Sequence, residues 1–202
     1  MSNTVGHAKV VRMTQLAILV AVMLLFAFTP LGYLKTAGVE ISFMMIPVVI
    51  GAIVIGPGAG AALGAVFGIT SFIQCFGMSL FGGSLLAINP FYTFLTCMIP
   101  RILAGWLPGL IFRALNKIDK TRLLSFGAAS LSGALLNTIL FIAMLLLLFG
   151  NTEYILSLQG DLSVLAFAVA FVGFNSVLEA AFCLVAGTAV SKALMHFSKK
   201  GS

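Results

Sequence analysis

The chain has 202 residues, of which 61% are hydrophobic and only 8% charged, and it carries a formal net charge of +6. A soluble domain holds about 25% charged residues, so a chain this poor in charge cannot cover its own surface with polar groups. With a mean hydropathy of +1.18, its surroundings must be hydrocarbon. Apolar runs without strand-like alternation then mean helices, because in lipid each backbone N–H must be satisfied within its own segment. The repeated short alternating strands of a barrel are missing.

The first apolar run, 13–28, follows Lys9 and Arg12 and reads as a retained helix rather than a leader. Pro30 stands where a small-residue cleavage site is needed. Residues 29–40 form a connector with Pro30, Gly32, Lys35 and Glu40. Spans two and three are predicted over 41–55 and 59–75, broken apart by Gly56-Pro57-Gly58. Residues 76–90 carry Gly77, Gly82, Gly83, Ser84 and Asn89 and no charge, and are expected as a loop lying against the membrane. Span four covers 91–112 and span five 123–149, with a basic segment between them. The polar stretch 151–161 carries Glu153 and Asp161, and a long sixth span runs over 163–194. About 20 residues cross the hydrocarbon core, so the second and third spans are short and the sixth is longer than needed.

Charge placement orients these spans. Lys9, Arg12, Arg113, Lys117, Lys120, Arg122, Lys192, Lys199 and Lys200 fall on one side of a six-span chain, and Lys35 alone on the other. By the positive-inside rule both termini are cytoplasmic, whereas five or seven spans would put a basic cluster on the wrong side. The expectation is one all-α transmembrane domain over 1–202 in the cell membrane. The basic residues are not interleaved with exposed aromatics, which argues against nucleic acid as a partner.

Arg101 and Glu179 are the ionisable residues deep within predicted spans. Either would cost several kcal/mol in lipid if unpaired, so each is expected to face the bundle interior. Asn175 lies four residues before Glu179, on the same helix face, and Asn137 sits midway along span five. Two compatible roles are open to this set. One is a structural ion pair with asparagines as interhelical glue. The other is a cavity for a small polar solute in which Arg101 binds an anionic group such as a carboxylate. Thr70 and Gln74, four apart near the outer end of span three, can add to that cavity, and Asn89 and Tyr92 can form part of a lid.

Gly56, Gly60, Gly64 and Gly68 recur every four residues, a small-residue stripe for close helix approach. No Gly-Lys-Ser/Thr follows it, so it is not a phosphate loop. Ala17 and Ala21 make a smaller stripe on span one, suited to internal packing or to contact with another membrane protein. Cys75, Cys97 and Cys183 stand at unrelated spacings and read as packing residues. The histidines, His7 and His196, lie in the tails, which leaves no His-based metal or protease site. With no nucleotide-binding motif, no metal cluster and no cofactor motif, the chain reads as a non-enzymatic solute-binding component that takes its energy from others.

Six helices in about 200 residues, the basic segment after span four, Ala17-x-x-x-Ala21 and the glycine-rich third helix resemble the S component, the substrate-binding subunit, of energy-coupling factor (ECF) vitamin transporters. Ile55-Gly56-Pro57, Gly68-Ile69-Thr70-Ser71-Phe72, Ile99-Pro100-Arg101-Ile102-Leu103, Leu136-Asn137-Thr138-Ile139-Leu140 and Asn175 through Glu179 are most similar to the pantothenate-type branch. The resemblance implies a vitamin bound near the outer face by polar groups of helices four to six. It also implies a transmembrane coupling subunit docked on the alanine pair, two ATPase subunits, and toppling of the S component as the transport step. A chain with one Trp and three Tyr is poor in stacking partners for a flat aromatic vitamin. A buried Arg with asparagines suits a flexible hydroxylated carboxylate such as pantothenate. The rival reading is a stand-alone secondary transporter or channel for a small polar solute; a lipid-acting membrane enzyme would need a nucleophile or metal site that the spans do not offer.

Overall fold

A computed structural model describes the backbone of residues 2–29, 33–36, 39–119, 123–160 and 162–200. Nine helices and one hairpin follow in order: α1 (Ser2–Phe28), β1 (Tyr33–Thr36), β2 (Val39–Ser42), α2 (Met45–Val54), α3 (Pro57–Gln74), α4 (Leu80–Ile88), α5 (Pro90–Leu115), α6 (Leu123–Phe149), α7 (Glu153–Gln159), α8 (Val164–Phe182) and α9 (Thr188–Lys200) among the described residues. A five-residue π-helical turn, Cys183–Gly187, joins α8 to α9. The exterior carries exposed Met13, Ile18, Leu25, Phe91, Leu147, Val177 and Val185, the surface of a protein bathed in hydrocarbon rather than water.

Among the described residues, five helical stretches are long and apolar enough to cross a membrane: Lys9–Phe28, Pro57–Gln74, Pro90–Leu115, Leu123–Phe149 and Ser176–Met195. The expected second span is different. It begins at Met45 rather than Ile41, because Val39–Ser42 pairs antiparallel with Tyr33–Thr36. What remains is a helix of 10 residues, about 15 Å at 1.5 Å per residue and so half the thickness of the hydrocarbon core. Its composition explains how it survives at that length. Met45 and every residue from Pro47 to Ile53 are buried, so α2 is wrapped by its neighbours and has little face to match to a bilayer.

One other expectation is corrected, and one polar stretch gains a helix. The uncharged segment 76–90 is not a loop but holds α4, started by Ser79, whose hydroxyl accepts the Gly82 amide at 3.1 Å. The polar stretch 151–161 holds α7, capped by the Thr152 hydroxyl. Apolar residues supply the reason for both. Leu85 of α4 and Ile155 of α7 are buried in one satellite cluster with Leu145, Phe149 and Phe167, and Phe81 packs against it beside Tyr154. A cap together with one buried face is sufficient to hold a short helix.

The glycine stripe of α3 meets α5. A Cβ on Gly60 would strike the Gly105 carbonyl, one on Gly64 the Arg101 carbonyl, and one on Gly68 would lie 3.0 Å from the Cys97 carbonyl. Between α2 and α3 the chain reverses at Gly56, whose φ of +133° is strained for any residue with a Cβ. Pro57 then opens α3 at a position where no amide donor is missed.

Because Gly60 faces backbone, Gly60→Ala is expected to lower stability by about 1–3 kcal/mol. Gly58, which has nothing within 4 Å of the corresponding Cβ position, is expected to tolerate alanine within about 0.5 kcal/mol. Thermal melts of the detergent-purified variants check the contrast.

Candidate functional site

A cavity of about 690 Å³ lies at the end of the bundle where α1 and α3 finish and α5 begins. That volume is within the ~300–1,000 Å³ typical of small-molecule sites. Ala27, Phe28 and Thr29 close one side, and α3 and the turn after it contribute Ser71, Gln74, Cys75 and Met78. Phe81, Gly82 and Leu85 of α4 cover it, α5 supplies Thr93, Thr96, Cys97 and Arg101, and Phe141 of α6 completes the wall.

Arg101 is the charged group of this wall. Its Nη1 donates to the Thr96 carbonyl at 2.7 Å. The guanidinium carbon stands 4.7 Å from the centroid of the Phe141 ring and 5.5 Å from that of Phe67. Flat cations favour such aromatic faces in a dry site, at about 0.5–2 kcal/mol each. The result is a guanidinium fixed in position and lined up with the cavity, able to meet a carboxylate through paired N–H donors.

The remaining wall is hydroxyl and apolar. Thr93 and Thr96 send their hydroxyl hydrogens back along α5, to Asn89 O at 2.9 Å and Tyr92 O at 2.8 Å, so each oxygen is left to act as an acceptor. Gln74 lines the cavity and ties it to α1, its Nε2 donating to the Ala27 carbonyl at 2.7 Å.

Of the residues singled out from sequence, Arg101 and Gln74 meet in this wall. Thr70 is buried with its hydroxyl on the Phe67 carbonyl at 2.9 Å, one turn below the wall. Asn89 is the N-cap of α5, its Oδ1 accepting the amides of Phe91 at 3.0 Å and Tyr92 at 3.1 Å. Tyr92 is exposed, with its ring edge-on to Phe149 at 6.1 Å. Glu179 is 8% exposed and faces the bundle rather than lipid. Among the described residues, nothing hydrogen-bonds Glu179 Oε1 or Asn137 Oδ1. At the same level Ser176 donates to Thr138 at 3.2 Å, which links α8 to α6. The side chain of Asn175 lies outside the described residues.

Sequence reasoning passed over Thr93, Thr96, Cys97 and Ser71. Helical spacing carried the signal. From Arg101, the positions four and eight residues back are Cys97 and Thr93, and Ser71 and Cys75 flank Gln74 at the same period. Cys75 and Cys97 are buried, as packing residues are, yet they also belong to the wall.

Comparison with known proteins places this architecture. The family model described as "ECF transporter, substrate-specific component" matches residues 11–190. The chain belongs to that family. This S component is 32% identical over 166 residues to the pantothenic acid transporter PanT of Lactococcus lactis subsp. cremoris, covering 77% of this chain and 78% of that protein. It is 29% identical over 189 residues to the pantothenate transporter PanT of Leuconostoc mesenteroides subsp. mesenteroides, covering 89% of this chain and 90% of that one. Family membership makes the protein a membrane-embedded transport component rather than an enzyme. The S component leaves Ala17 and Ala21 on the exposed face of α1, beside exposed Ile18 and Val22.

The geometry predicts that Asn89 acts by capping α5. Asn89→Ala is expected to lower stability by about 1 kcal/mol, whereas Asn89→Ser, an equally good cap, retains it. Differential scanning fluorimetry distinguishes the two.

Proposed function

We propose that this S component captures pantothenate at the outer face of the cell membrane and delivers it inward as part of an ATP-driven ECF importer. One observation carries the reading: a guanidinium held by the Thr96 carbonyl and two phenyl rings in the wall of a 690 Å³ cavity. Pantothenate has a carboxylate for that group and hydroxyl and amide groups for the threonine and glutamine side chains. Its gem-dimethyl carbon suits the apolar remainder of the wall. The names of the two relatives support the same substrate.

In this reading Arg101 binds the carboxylate, Gln74 and Thr96 contact the polar middle of the molecule, and Asn137, Glu179 and, by its place four residues before Glu179 in the sequence, Asn175 are further polar groups for the substrate. Thr70, Asn89 and Tyr92 support the site from outside the wall. Six membrane crossings, with α2 as the short one, leave both termini cytoplasmic, in keeping with nine Lys/Arg on one side against Lys35 on the other. The cavity then opens outward. Ala17 and Ala21 on the exposed face of α1 offer the close-packing surface for a transmembrane coupling subunit, which in turn carries two ATPases.

Isothermal titration of the purified chain should show pantothenate binding that Arg101→Ala weakens by about tenfold or more, the value of a lost charge-assisted pair. Equal binding by the variant removes the carboxylate assignment. Vesicles holding this chain alone should accumulate no pantothenate under an ion gradient, and those holding it with the coupling subunit and ATPases should do so with ATP; uptake by the chain alone would favour a secondary transporter.

A further inference from the structure

One feature of α5 lies behind the cavity wall rather than among its lining residues. Pro100 lies in the interior of α5 and is fully buried. Proline has no amide hydrogen and its ring crowds the carbonyl four residues back. In α5 that carbonyl belongs to Thr96, which therefore lacks its ordinary helical donor. The group that takes it is the guanidinium of the very next residue, Arg101 Nη1, at 2.7 Å. Side chains on a helix lean toward its N-terminus, so Arg101 reaches back over the turn that Pro100 has opened. The same contact places the guanidinium one turn nearer the mouth of the cavity than its Cα.

We infer that Pro100 is a positioning residue for ligand recognition: it frees the Thr96 carbonyl to anchor the Arg101 guanidinium at the cavity wall. This rests on the carboxylate reading of Arg101 given above and goes beyond it in naming what aims the group. α5 supplies an internal comparison. Pro108 also interrupts its amide ladder, but Arg113 is the nearest arginine beyond it and lies at the far end of the helix. A proline retained only to bend α5 would leave ligand selectivity unaffected at either position.

The experiment uses the purified full chain and two ligands, pantothenate and its analogue with a hydroxymethyl group in place of the carboxylate. In the wild type the carboxylate ligand is expected to bind the tighter of the two. Pro100→Ala supplies an amide that takes over the Thr96 carbonyl and releases Arg101. The ratio of the two Kd values should then fall by about tenfold, while the Kd of the neutral analogue moves by less than about threefold. Arg101→Ala should collapse the ratio by the same factor, the double variant should go no further, and Pro108→Ala should keep it. In thermal melts Arg101→Ala should cost more Tm with Pro100 present than in the Pro100→Ala background, where an amide already fills the carbonyl.

The outcomes separate. If Arg101→Ala leaves the ratio intact, the carboxylate reading fails and takes this inference with it. If Arg101→Ala collapses the ratio and Pro100→Ala preserves it, Pro100 has no positioning role and the carboxylate reading stands. Should Pro100→Ala not fold, Pro100→Gly supplies the same amide and is read in its place. Loss of folding in both variants overturns the inference, because an added amide should relieve the helix rather than break it.

Discussion

Where Gly60 and Gly64 of α3 face Gly105 and Arg101 of α5, two helix backbones touch directly, and at Gly68 the Cys97 carbonyl and the Met98 side chain close the seam. In a membrane, helices gain little by hiding apolar surface from lipid, so association depends on close packing and on polar contacts across the seam. That seam fixes the rest of this end of the bundle. It presses the Arg101 turn of α5 against α3, bringing the guanidinium beside Phe67. It also aligns Gln74 and Cys75 with Thr96 and Cys97 around one hollow.

A cation in such a place needs several constraints at once. The Thr96 carbonyl supplies a directional one, and the rings of Phe67 and Phe141 supply two broad ones from different helices. Each is modest in isolation, but together they leave the side chain few alternatives and reduce the ordering cost of meeting an anion. Glu179 on α8 is likewise buried and turned to the bundle rather than to lipid. The carbonyl and the two rings let a cation stand inside a bundle whose outer surface is hydrocarbon.

The small elements at the cavity end owe their existence to the same geometry. α4 covers the hollow with Phe81, Gly82 and Leu85, and it is held by the Ser79 cap and by the cluster it shares with α6 and α7. Gln74 joins the cavity wall to the last turn of α1 through the Ala27 carbonyl. The hollow and the helix with the exposed alanine pair are thus directly linked.

Composition and periodicity were enough to determine a helical membrane protein, the long apolar helices and the inward-facing Arg101 and Glu179. The cost of an unpaired charge or amide in lipid leaves a chain no other solution. The four-residue glycine repeat announced a tight seam for the same kind of reason. Tertiary structure alone decided which helix that seam meets, since the pattern on α3 would have fitted any smooth partner. It also decided that α2 is short and wholly enclosed, that the uncharged segment before Pro90 is a helical cover, and that Asn89 caps a helix. Each of these turns on a face being buried by residues distant in sequence, such as Leu85 against Phe149 and Ile155. The pinning of Arg101 lies between the two: Pro100 and Arg101 stand side by side in the sequence, but the rings that complete the arrangement come from α3 and α6.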